Sequence, residues 1–122
     1  MKWVLVFAMG GLGALLRVAA SGLFPVRALP WGTLAVNALG CLAIGVLFEV
    51  FEERSPHWPL ELRVAVVGGL LGGFTTFSAF GLETWGLASE GQWGLAALYA
   101  LGSLVIGIAA VGAGIVVARA FG

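Results

Sequence analysis

The chain has 122 residues, 61% of them apolar and 10% charged, with a mean hydropathy of +1.07. Soluble domains run at about 45–50% apolar and about 25% charged, and a chain this short has too little volume to hide so much apolar surface from water. Six basic and six acidic residues leave no net charge at pH 7, which removes any electrostatic case for a nucleic-acid partner.

Charge-free runs set the architecture. Residues 28–48, 64–82 and 91–118 carry no charged side chain, and crossing a hydrocarbon core takes roughly 20 helical residues. With the apolar N-terminal stretch they predict one four-helix transmembrane domain over residues 1–122, its spans at about 3–24, 31–51, 62–86 and 93–118. Trp3, Trp31, Trp85 and Trp93 stand at span ends and Trp58 in the second loop, where amphipathic indoles favour the headgroup zone. The lipid bilayer is thus the chain's first partner.

The first span opens on Met1 and Lys2, which resembles a signal peptide. Its single charge and the three spans behind it favour an uncleaved helix. It contains "GGLGALLR", with Gly10, Gly11, Gly13 and Ala14, and small residues three apart share a helix face that permits close approach. Arg17 closes that motif. It either snorkels to the interface or makes a vestibule positive and draws anions in.

The second span reads "WGTLAVNALGCLAIG". Thr33 and Asn37, four apart, lie on one helical stripe. They either bond a neighbouring helix or offer donors to something passing along that face. Cys41 is the only cysteine, so no intrachain disulfide or cysteine metal cluster is possible. His57, between Pro56 and Pro59 in the second loop, reads as a solvated loop residue.

The third span holds "GGLLGGFTTFSAFGLE". Four glycines and two threonines weaken a helix there, and the pattern favours a break at mid-membrane over a kink. Non-helical backbone at that depth must be satisfied by protein or line a cavity, and freed carbonyls can ligate a cation. Phe77 and Phe80 share a face if helix resumes, and their positive ring edges suit an anion. Glu83 ends the run and either anchors the helix or orients donors. In the fourth span, Tyr99 and Ser103 form another short polar stripe.

Hydroxyl and amide stripes on three spans, with no titratable group at mid-span, narrow the function. A proton-coupled carrier calls for a buried carboxylate or histidine, and a cation pathway for acidic rings. Neutral donors suit a small anion that sheds its water. No acid–base pair, metal cluster or partnered nucleophile lies within the spans, so an enzyme is not expected. Lys2, Arg54, Arg63 and Arg119 fall on one side and Arg17 and Arg27 on the other. So slight a basic bias permits insertion in both orientations.

Together these residues resemble the Fluc/CrcB family of fluoride channels along essentially the whole chain. "GGLGALLR", "GTLAVNALG" and "GGLLGGFTTFSAFGLE" occur in order, and the "TTFSxF" run after paired glycines is the most specific. The resemblance implies an all-α, antiparallel, dual-topology homodimer in a prokaryotic inner (plasma) membrane. Its function would be fluoride-selective passive export of cytoplasmic fluoride through two pores at the dimer interface. A structural Na+ at the dimer centre would be held by backbone carbonyls of Gly72 and Thr75. Phe77 and Phe80 match the pore phenylalanines and Asn37 the pore asparagine, with Thr33, Ser78 and Tyr99 along a polar track. Arg17 matches the vestibule arginine and Glu83 the acidic residue after the phenylalanine pair. Two positions depart from the pattern. Ala79 stands where the family often has threonine, removing one hydroxyl from the track, and Val18 follows the arginine where tyrosine is common. The alternatives are a small multidrug-resistance-type transporter, which needs an acidic residue that the first span lacks, and an accessory membrane subunit, which leaves the polar stripes unexplained.

Overall fold

A computed structural model describes residues 1–122. The chain is all helical, with four helices long and apolar enough to cross a membrane: α1 (Lys2–Ser21), α2 (Trp31–Arg54), α3 (Leu60–Ser89) and α4 (Trp93–Ala120). Only 16 of the 122 residues are buried, while Trp3, Phe7, Leu98 and Ile108 stand exposed along α1 and α4. Such a surface is stable when lipid tails are the solvent, since they are as apolar as leucine.

Two helix pairs make the subunit. α1 packs on the first half of α3, α2 packs on α4, and the second half of α3 also packs on α4. Helix α3 therefore changes partner along its length, which an unbroken rod in this position would not do. Glycine sets how closely both pairs approach. A methyl group on Gly13 would collide with the Leu70 carbonyl and lie 2.9 Å from the Phe74 nitrogen, and one on Gly73 would meet the Gly10 carbonyl. Between α2 and α4, a methyl on Gly114 would strike the Leu42 carbonyl and one on Gly45 the Val111 carbonyl. Without a strong hydrophobic drive between helices in lipid, these backbone-to-backbone contacts supply the packing.

The glycine run 68–73 is not where α3 breaks. It stays helical, widened to i→i+5 hydrogen bonding over Ala65–Leu71 and regular at Gly72–Phe74. The break falls just after it, at Thr75 and Thr76, both extended. Packing against α1 holds the glycines in a helix that their propensity disfavours.

The end of the bundle at the second loop is closed by charge. α2 widens in the same way over Glu49–Arg54. Arg63 pairs with Glu52 at 3.0 Å, donates to the carbonyls of Phe51 and Pro56 and lies over the Phe51 ring. That ring packs on Trp58 at 5.2 Å. Arg119 pairs with the buried Glu49 at 2.9 Å.

Candidate functional site

At the break, Thr75 (φ −85°, ψ 158°) and Thr76 (φ −147°, ψ 116°) carry the chain out of the helix and back into it. Thr75 ends the first half by donating both its N–H and its hydroxyl to the Leu71 carbonyl, each at 2.9 Å. Thr76 starts the second half as an N-cap, its Oγ1 accepting from the Ala79 N–H at 3.2 Å. A threonine in that place satisfies one of the orphan donors of a helix start.

Two other helices hold the break in place. Asn37 of α2 pairs with both backbone groups of Thr76: Oδ1 accepts its N–H at 2.8 Å and Nδ2 donates to its carbonyl at 2.9 Å. Arg17 of α1 turns inward, its Nε donating to the Gly73 carbonyl at 3.1 Å. A cation there also opposes the negative end of the first half-helix. After these bonds the carbonyls of Gly72, Phe74 and Thr75 accept no hydrogen bond within the subunit. Oxygen ligands for a hard cation are therefore available, whereas no cluster of three or more His, Cys, Asp or Glu side chains exists to hold a metal.

Beyond the break runs a row of aromatic and polar side chains. Phe77 is 81% exposed, and its ring centroid lies 5.5 Å from that of Phe80, tilted by 38°. Phe80 in turn packs 5.4 Å from Tyr99. The Tyr99 hydroxyl donates to Glu83 Oε2 and the Thr33 hydroxyl to Oε1, both at 2.7 Å. One carboxylate of α3 is thus tied to two other helices, α2 and α4, by two charge-assisted bonds, the stronger kind.

Two hollows flank this row. One, of about 390 Å³, is lined by Asn37, Thr75, Phe77, Phe80 and Ser103. The other, of about 500 Å³ beside the first loop, is lined by Arg27, Thr33, Glu83 and Glu90. The contacts Phe80–Tyr99–Glu83 lead from the first to the second.

Most of the residues singled out from sequence meet here, in a particular arrangement. Thr33 and Asn37 do share a face and both reach α3, one to Glu83 and the other to Thr76. Ser78 stands apart from the Thr33–Glu83–Tyr99 group, its hydroxyl 3.3 Å from that of Thr76. Arg17 bonds a helix end, and Gly72 and Thr75 present open carbonyls. Two residues outside the expected set belong with them. Thr76 is the hub of the break, and Ser103 lines the first hollow with a buried hydroxyl that has no partner. Its spacing of four from Tyr99 was the only sequence signal for Ser103.

Four apolar spans, with a splinted break in the third and a row of aromatic and polar side chains beside it, define a small multi-pass membrane protein. The chain belongs to the CrcB family: the family described as "CrcB-like protein, Camphor Resistance (CrcB)" matches residues 4–115. Among its relatives is a protein of Nitratidesulfovibrio vulgaris, 46% identical over 88% of this chain and 89% of the relative. One of Agrobacterium fabrum is 44% identical over 94% of each chain, and one of Rhizobium leguminosarum bv. trifolii is 43% identical over 96% of this chain and 95% of the relative. All three bear the name "Fluoride-specific ion channel FluC".

Proposed function

We propose that this protein is a fluoride-selective ion channel of a bacterial inner membrane, working passively as an antiparallel, dual-topology homodimer with two pores. Similarity to the named relatives along nearly the full chain supports the ion. The observation that carries the reading is the break in α3, with the exposed Phe77 ring and the Asn37 amide lining one hollow beside it. A lone subunit would place that ring and the open carbonyls in lipid, where an unsatisfied backbone group costs several kcal/mol. A second copy facing the break covers both.

Fluoride is small, strongly hydrated and a very good hydrogen-bond acceptor, so its water must be exchanged for donors of similar strength that then release it. Asn37 has one amide hydrogen left after its bond to Thr76, and the Ser103 hydroxyl lines the same hollow. The ring edges of Phe77 and Phe80 add a weak attraction that does not hydrate the ion. Chloride is larger and a weaker acceptor, and gains less from such a path. No protonatable carrier step is needed, because fluoride leaves the cell down its electrochemical gradient.

The Gly72 and Thr75 carbonyls fit a Na+ at the dimer centre, being open oxygens on neighbouring turns of the break. A cation bound there would offset the clustered carbonyl dipoles and brace the two subunits.

Efflux from liposomes tests the proposal. Purified protein is reconstituted with fluoride and chloride inside, a potassium ionophore releases the voltage, and electrodes follow both ions. Fast fluoride loss with chloride retained is the expected result. Retention of both ions by a folded dimer would remove the channel function.

A further inference from the structure

The break in α3 is kept open by side chains that take over the helix's own hydrogen bonds. Had the helix continued past Thr75, the Thr76 N–H would bond the Gly72 carbonyl and the Ala79 N–H would bond the Thr75 carbonyl, as the i→i−4 pattern requires. Both donors point elsewhere. The Thr76 N–H goes to Asn37 Oδ1 at 2.8 Å, and the Ala79 N–H goes to Thr76 Oγ1 at 3.2 Å. Each of the two carbonyls fitted for a cation is thus left without its usual donor by one identifiable side chain. Of the two carbonyls between them, Arg17 removes that of Gly73 from the set.

We propose that Asn37 and Thr76 are positioning residues for a Na+ site: Asn37 holds the Gly72 carbonyl open and Thr76 holds the Thr75 carbonyl open. The inference rests on the cation site proposed above and adds what builds it. Threonine suits the task because its hydroxyl oxygen can accept from the N–H three residues on while its β-branch keeps its backbone extended. Valine keeps the branch and loses the acceptor. Serine keeps the acceptor. At position 37, leucine retains neither the acceptor for the Thr76 N–H nor the donor to the Thr76 carbonyl.

The experiment measures equilibrium binding of radioactive 22Na+ to the full-length purified dimer in detergent, with dimer assembly checked by size-exclusion elution and helicity by circular dichroism. The wild type is expected to bind Na+ saturably. In Thr76→Val the Ala79 N–H returns to the Thr75 carbonyl, and the dissociation constant rises about tenfold, the equivalent of one backbone hydrogen bond competing with the ion. Thr76→Ser stays within about twofold of the wild type, which a loss of general packing would not produce. Asn37→Leu weakens binding in the same way, which carries the test if the valine variant fails to assemble. Wild-type Na+ affinity in assembled Thr76→Val and Asn37→Leu dimers overturns this inference and leaves the cation site standing. No saturable binding by the wild type overturns both.

Discussion

The carboxylate of Glu83 accepts a bond at each of its two oxygens, and Tyr99→Phe isolates one of them. The substitution deletes the hydroxyl that donates to Oε2 at 2.7 Å and leaves the ring against Phe80, 5.4 Å away. Tyr99 is only 3% exposed, so water does not readily replace the lost donor. Hydrogen bonds to charged groups in soluble proteins contribute about 1.5–3 kcal/mol. Between membrane helices the measured average is nearer 0.6, with a maximum of about 1.7 kcal/mol, because the unfolded chain in lipid also finds partners. The expected loss is therefore about 1–2 kcal/mol, a factor of roughly 5–30 in the folding equilibrium. Equilibrium unfolding in mixed detergent micelles measures it, for Tyr99→Phe, Glu83→Gln and the double variant. Thr33 still holds Oε1, so the carboxylate keeps one anchor and the fold survives. The cycle is expected to give a coupling of about 0.5 kcal/mol or more. Strictly additive losses would falsify the Tyr99–Glu83 bond in the assembled protein and leave the Tyr99 hydroxyl free to donate to a passing ion. A real coupling has the converse consequence. The single hydroxyl hydrogens of Thr33 and Tyr99 are committed to Glu83, and an anion reaching them must compete with a carboxylate.

Three further outcomes are expected. Phe80→Ile keeps apolar bulk but removes the ring that bridges Phe77 and Tyr99, and it should cut fluoride efflux from liposomes by at least tenfold, about 1.4 kcal/mol of barrier; unchanged efflux would move the ring from path to packing. Gly13→Val drives its side chain into the Leu70 carbonyl and should destabilise the subunit by about 1–3 kcal/mol in the same unfolding assay, whereas Gly11→Val, with nothing within 4 Å of a Cβ at that position, should be close to neutral. Arg119→Gln strips Glu49 of its partner while that carboxylate stays buried, and should cost about 1–3 kcal/mol; adding Glu49→Gln should restore most of the loss, and a double variant no better than the single one would show that the pair is not what closes this end of the bundle.

The four spans, the absence of strands and the placing of a break in the third were legible from residues in sequence. So was the polar set of Thr33, Asn37 and Tyr99, because a polar side chain at membrane depth stands out against its neighbours. The site of the break was read less well. The run of glycines and threonines marked the break, but not which of its residues would leave the helix: the glycines pack against α1 and stay helical, while Thr75 and Thr76 leave it. Thr76, which accepts from the next half-helix and is gripped by Asn37, looked like an ordinary member of a threonine pair.

Crossing the membrane is determined by sequence alone because transfer into lipid is charged residue by residue, and the terms add along the chain whatever the other helices do. The pairings belong to the tertiary structure. Arg17 could snorkel or face a vestibule until α1 came to rest on α3 and put its guanidinium on the Gly73 carbonyl, 56 positions away. Glu83 could anchor or orient until α2 and α4 brought it Thr33 and Tyr99. A hydrogen bond depends on distance and angle between groups far apart in the chain, and the packing of the helices, closest at their glycines, fixes those distances here.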